Sequence, residues 1–151
     1  MGLAAINSAR AIIFEGQDLI VKARVVNDAG TRISEDGASS TGTVSAASFY
    51  VYDLNSSTPD TALNGTTAID IAGAGGTFTT GAEGYLTTGW DKDGTGYNFA
   101  HTVVDGTDVT WLGGHRYRID YVIAHDGTIS PSGASEGDIR FSVEVHVKAG
   151  Y

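Results

Sequence analysis

Two stretches, residues 114–124 and 139–148, alternate between apolar and polar residues, and this period of two constrains the fold more than any other feature of the chain. Phe141, Val143, Val145 and Val147 fall in one phase; Arg140, Ser142, Glu144, His146 and Lys148 fall in the other. Successive side chains of an extended strand point to opposite faces. The pattern therefore predicts strands buried on one side only, belonging to an antiparallel sheet that covers a core. Tyr117, Ile119, Tyr121 and Ile123 form the matching apolar phase of the first stretch and are expected to face the core with the second set.

No window of the chain sustains apolar residues at three-to-four spacing over three turns, and Thr, Val, Ile, Tyr and Gly dominate, so the reading is all-β. Strands are expected over residues 9–14, 19–26 and 44–54. In the second, Leu19, Val21, Ala23 and Val25 share a face, and the third contains the aromatic run Phe49-Tyr50-Val51-Tyr52. Residues 27–30 and 55–59 read as turns, and the Gly- and Ser-rich residues 35–42 as a long loop. The middle is less regular. Residues 66–71 suggest a short strand, residues 77–80 and 85–90 a pair around the glycines of 81–84, residues 91–96 a polar loop, and 97–104 a further strand. About eight short strands at turn spacings near ten residues fit a two-sheet sandwich better than a βαβ arrangement. Residues 9–151 are expected to form one β-sandwich domain. Residues 1–8, small and apolar without periodicity, are expected to be a frayed terminus or an arm that pairs with a neighbouring subunit.

With no cysteine, the chain encodes no disulfide, thiol nucleophile or cysteine-ligated metal. Its 9 Lys and Arg stand against 18 Asp and Glu, a net charge of −9 that repels nucleic-acid phosphates and anionic membranes, so neither is an expected partner. Neither a signal peptide nor an apolar span is legible, and a soluble chain is expected. Charge is also uneven. No basic residue occurs between Arg32 and Lys92, where Glu35, Asp36, Asp53, Asp60, Asp70 and Glu83 fall. Lys22, Arg24, Arg116, Arg118, Arg140 and Lys148 are expected to form a mixed or basic patch elsewhere, suited to docking between unlike surfaces.

The chemistry-bearing motifs are sparse. Asp91-Lys92-Asp93-Gly94-Thr95-Gly96 begins as a calcium loop begins, but Thr102 stands where an EF-hand needs a bidentate glutamate, so a solvated turn is expected. His101, His115, His125 and His146 fall on separate segments without metal-ligand spacing. No serine lies in a nucleophile elbow, and no carboxylate pair suggests a glycosidase cleft. Asn55-Ser56-Ser57 and Asn64-Gly65-Thr66 match a glycosylation pattern and read more simply as turns. Tyr50, Tyr52, Trp90, Tyr97 and Trp111 read as core residues, with sugar stacking as the alternative. No catalytic residue, cofactor or metal is expected.

Trp111-Leu112-Gly113-Gly114-His115-Arg116-Tyr117 and the alternating residues after it resemble the strand of immunoglobulin-like and fibronectin-like sandwiches that leucine, glycine and tyrosine introduce, with Tyr117 as counterpart of a tyrosine corner. The leucine-to-tyrosine spacing is one residue short of the fibronectin pattern, so the resemblance implies an Ig-like antiparallel β-sandwich and no more. Residues 114–127 followed by 139–147 are similar to the closing hairpin of small virion proteins of tailed bacteriophages. Residues 19–30, with Asp28-Ala29-Gly30 as the turn, look like the first long strand of phage baseplate and adaptor domains. The resemblance implies a non-enzymatic virion protein, assembled in the bacterial host cytoplasm and docking in many copies on capsid, neck or tail subunits as adaptor, head-tail connector or decoration protein. A carbohydrate-binding sandwich module, or a surface interaction domain, is the alternative.

Overall fold

The computed structural model describes residues 3–6, 10–26, 30, 32–33, 43–65, 67–69, 77–79, 85–126 and 138–150. These form an all-β structure of eight strands without a helix: β1 (Leu3–Ile6), β2 (Arg10–Phe14), β3 (Leu19–Val26), β4 (Thr43–Asp53), β5 (Thr67–Ala68), β6 (Phe99–Val103), β7 (Arg116–Asp126) and β8 (Ile139–Lys148). The strands make two sheets, ordered β1-β3-β6 and β2-β8-β7-β4-β5. Three are longer than the expected short strands, at 11, 11 and 10 residues for β4, β7 and β8.

The alternation of β7 and β8 has the anticipated phase. Tyr117, Ile119, Tyr121, Ile123, Val143, Val145 and Val147 are buried, and Phe141 packs partly buried against them. The two strands pair antiparallel with Tyr117 opposite Val145 and Tyr121 opposite Phe141, so one face of the hairpin presents a continuous apolar surface. Leu19, Val21, Ala23 and Val25 of β3 supply the opposing face. Between the sheets, Phe99 of β6 meets Tyr121 and Phe141 of the other sheet edge-on, with ring centroids 5.2 and 5.5 Å apart.

Two expectations are corrected. One pair is parallel: β2 lies beside β8 with Ala11 opposite Val145, so the sheet is mixed rather than antiparallel throughout. The near-complete span of chain between these strands serves as the crossover that a parallel pair requires. Residues 77–79 and 85–90, expected to pair with each other, both pair with residues 97–100 instead. Phe78 bridges Phe99, and Leu86 and Tyr97 exchange two backbone hydrogen bonds at 2.8 Å each. The rings of Phe78, Tyr97 and Phe99 are buried in that register, and such burial is what specifies strand pairing. Residues 3–6 of the N-terminal segment pair antiparallel with β3, Ala5 lying opposite Arg24. The loop expected over residues 35–42 lies outside the described residues.

Candidate functional site

The loop at residues 90–98 is the solvent-exposed turn expected over residues 91–95, and it is clamped by Asp93. Asp93 Oδ1 accepts hydrogen bonds from the backbone N–H groups of Thr95 and Gly96 at 2.9 and 3.3 Å and from the Trp90 indole at 3.1 Å. Arg24, on the outward face of β3, donates to both carboxylate oxygens at 2.9 and 2.6 Å. The Arg24 bonds, then the Trp90 bond, hold the Asp93 carboxyl well below the usual carboxylate range. In this calcium-loop-like motif the Asp93 carboxylate is thus bonded to a guanidinium, and Asp91 lies exposed beside it. Among the described residues, no three His, Asp or Glu side chains cluster as a metal site would require. Gly96 has φ of +104°, and a Cβ there would lie 2.3 Å from the Leu86 carbonyl oxygen, so the close approach of the two backbones needs glycine.

Two asparagines act as backbone substitutes. Asn98, fully buried, accepts from Val25 N–H at 2.6 Å and donates to the carbonyls of Val25 and Ile33 at 2.8 and 3.0 Å. Asn64 does the same at the edge of β4, accepting from Val51 N–H at 2.8 Å and donating to Phe49 O at 3.1 Å. A primary amide carries one acceptor and two donors in a plane, which lets it imitate a neighbouring strand. Asn55 Oδ1 accepts from Arg116 N–H at 2.8 Å. Both asparagines of the glycosylation-like triplets therefore organise backbone as turn residues do.

The histidines are dispersed. His101 sits at an inward position of β6 among Phe49, Phe99 and Tyr121, sharing a 3.0 Å hydrogen bond between Nδ1 and the Tyr121 hydroxyl. Burial lowers its pKa to about 4, with Asp108 opposing the shift, and burial likewise raises that of Tyr121. His115 Nδ1 lies 2.8 Å from Oδ2 of the buried Asp53. His146 Nε2 lies 2.8 Å from Glu144, which also binds Arg116; these two partners hold the half-buried Glu144 below its ordinary pKa. Nothing brings His101, His115 and His146 together. The side chain of His125 lies outside the described residues.

Beside the His115–Asp53 pair, where β4 ends and β7 begins, is a shallow depression of about 380 Å³ walled by Asp53, Leu63, Thr107, Asp108, Leu112 and Tyr117. Leu63 and Leu112 are 52% and 47% exposed. Asp105 N–H donates to Asp18 at 2.9 Å and Asp105 Oδ1 accepts from Trp111 N–H at 3.0 Å, adding two carboxylates next to this end. The Tyr117 hydroxyl accepts from Leu112 N–H at 2.9 Å.

The aromatic candidates divide. Trp90, Tyr97 and Trp111 are buried, at 8%, 7% and 2% exposure, and present no ring face to solvent. Tyr50 and Tyr52 stand half-buried on the outer face of the five-stranded sheet, where Arg118 lies 4.6 Å over the Tyr52 ring. Basic residues divide as well. Lys22 and Arg24 belong to the three-stranded sheet and are tied to Thr88 O and Asp93, whereas Arg116, Arg118, Arg140 and Lys148 lie on the outer face of the other sheet. The single patch expected from the sequence is two surfaces. The surface on β7 and β8 escaped prediction as a unit because it depends on register: Arg118 lies opposite Glu144 and Val122 opposite Arg140. Comparison with protein-family models, with curated proteins and with solved structures finds no match to this chain.

Proposed function

We propose that this chain is a non-enzymatic structural component of a tailed-phage virion, an Ig-like sandwich that docks on capsid, neck or tail subunits as adaptor, connector or decoration protein. The Ig-like reading is supported by strand order. With β1, β3 and β6 taken as strands A, B and E, and β2, β8, β7, β4 and β5 as A′, G, F, C and C′, the strand order supports a variable-type arrangement, with strands D and C″ lacking a counterpart among the described residues. The bond from Leu112 N–H to the Tyr117 hydroxyl, at the start of the F-equivalent strand, supports the tyrosine-corner comparison.

The observation that carries the functional reading is how the chain spends its polar side chains. Asp93, Asn64, Asn98 and Asp53 are each committed to holding backbone or a neighbouring side chain, while the outer face of the five-stranded sheet carries Tyr, Arg and aliphatic groups beside Asp120 and Glu144, and Tyr and Arg are the groups enriched at protein contacts. Such a protein works by contact area repeated over many copies. Mass spectrometry of purified particles from the source should find this chain as a stoichiometric component. Particles that lack it overturn the reading. The carbohydrate-binding alternative rests on Tyr50 and Tyr52 alone, since Trp90 and Trp111 are buried.

A further inference from the structure

The outward positions of β2, β7 and β8 concentrate positive charge. Arg10, Arg116, Arg118, Arg140 and Lys148, more than half of the chain's 9 Lys and Arg, share this face with three carboxylates among the described residues, Glu144, Asp120 and Asp138, which pair with Arg116, Arg118 and Arg140 and leave the cations in excess. Arg116 and Arg140 have side chains 54% and 69% exposed. Ile12, in phase with Arg10 and opposite to the buried Ile13, adds an aliphatic side chain 62% exposed. The net charge of −9 means that the remaining surface is strongly anionic. One part of it, the end depression, pairs carboxylates with aliphatic groups in the same way: Asp108 in its wall, Asp18 and Asp105 beside it, Leu63 and Leu112 exposed on it.

The molecule therefore carries two unlike surfaces, cationic–aliphatic and anionic–aliphatic, on different sides. We propose that the outer face of the five-stranded sheet docks head-to-tail on the anionic end depression of a second copy of this chain. The proposal rests on the reading of the chain as a repeated structural subunit. A contact between unlike surfaces is heterologous, so it either closes into a ring or continues as a filament, and both are ways to build a symmetric particle part. The size is adequate. Three strands roughly 33 Å long and the five-residue β2, about 4.8 Å apart, present roughly 550 Å² of face, about two-thirds of the ~800 Å² per partner of a standard interface. Like net charge opposes approach at long range. At physiological ionic strength the Debye length is about 8 Å, shorter than either surface is wide, so the local match decides.

Sedimentation velocity on the purified full chain tests this. Wild type at physiological salt should form concentration-dependent oligomers, and these should dissociate in about 1 M salt, where screening falls to ~3 Å. The double variant R140E/K148E reverses two of the five cations and with them the net charge of the face, and L63D/L112D spoils the depression; each alters exposed side chains only, and circular dichroism should show both folded. Each alone should associate at least roughly tenfold more weakly than wild type. Mixed together, they should form a 1:1 dimer and nothing larger, because each retains the one surface the other lacks. Wild type that stays monomeric up to roughly 100 μM, or a mixture that stays monomeric, overturns the contact. Monomeric protein that is nevertheless found in particles overturns the head-to-tail contact and leaves the virion reading intact; self-associating protein absent from particles does the reverse.

Discussion

The hairpin of β7 and β8 and the segment from Trp90 to Asn98 both anchor aromatic residues in the core, and they do so by different means. In the hairpin the information is spread out: each second residue is apolar, each contributes, and backbone pairing follows from the register those residues impose. In the segment it is concentrated. Asp93 holds two N–H groups, an indole and a guanidinium, and Asn98 holds three backbone groups of β3 and its neighbourhood. Spread information tolerates a weak residue and shows in a sequence as a pattern. Concentrated information does neither.

Four perturbations separate the two regimes, beginning with the most damaging. Val145→Asp should unfold the protein. It buries a carboxylate at a fully enclosed position facing Tyr117, a cost of several kcal/mol against a typical total stability of ~5–15 kcal/mol. A thermal midpoint within a few degrees of wild type would refute the assigned phase. Asn98→Leu should be nearly as severe although one residue in a glycine-rich segment is changed. It strands Val25 N–H and the carbonyls of Val25 and Ile33, at about 1–3 kcal/mol for each buried group left unpaired. Denaturant midpoints should place it well below Asn64→Leu, whose site is only partly buried.

The third perturbation is pH. His101 has its pKa lowered by the fold to about 4 from 6.5, so the unfolded chain takes up its proton first on acidification. Its contribution is complete above about pH 6.5 and is lost as pH falls toward 4, with a slope approaching ~1.4 kcal/mol per pH unit. The lowered carboxyls of Asp93 and Glu144 act in a separate window: their contribution is present above the unfolded pKa values, 3.8 and 4.5, and is lost below them. His101→Gln should flatten the stability profile between pH 6.5 and 4 and leave the more acidic limb unchanged. An unaltered slope in the upper window would show that His101 is not the group responsible. The mildest is Asp93→Asn, which keeps the turn's acceptor and removes the charge facing Arg24. Hydrogen exchange should quicken at Thr95 and Gly96 while the global midpoint moves little; protection unchanged at both amides would show that the clamp does not depend on the ion pair.

This contrast also explains what could be read from the chain alone. The bounds of β3 and β8 and the core phase of β7 were legible because periodicity encodes them residue by residue. The partners of residues 77–79 and 85–90 were not, because Phe78 and Leu86 find Phe99 and Tyr97 through tertiary packing that leaves no local pattern. Asp93 was noticed for its spacing from Asp91, and the answering residue, Arg24, stands 69 positions away on another strand. Nothing in the neighbourhood of Asn98 marks it as a substitute strand. The cationic face was half visible: Arg116, Arg118, Arg140 and Lys148 could be named, but the addition of Arg10 and the separation from Lys22 and Arg24 required knowing which sheet each strand joins.

The parallel pairing of β2 with β8 has a consequence for how the protein comes to be folded. Ala11 cannot meet Val145 until nearly all the residues between them exist, and the carboxylate of Glu15 ties Gly150, 135 positions away, into the same corner. The β7–β8 hairpin can form from local contacts, whereas β2 must wait for it. Closing so long a loop costs entropy before any contact repays it, which places this topology among slow folders, in the millisecond-to-second range. On the ribosome, β2 therefore emerges well before β8 and stays unpaired with its final neighbour until synthesis has passed Lys148. That interval leaves the apolar run Ala11-Ile12-Ile13-Phe14 exposed to competing strands, and makes the rate of chain completion part of what determines the yield of native protein.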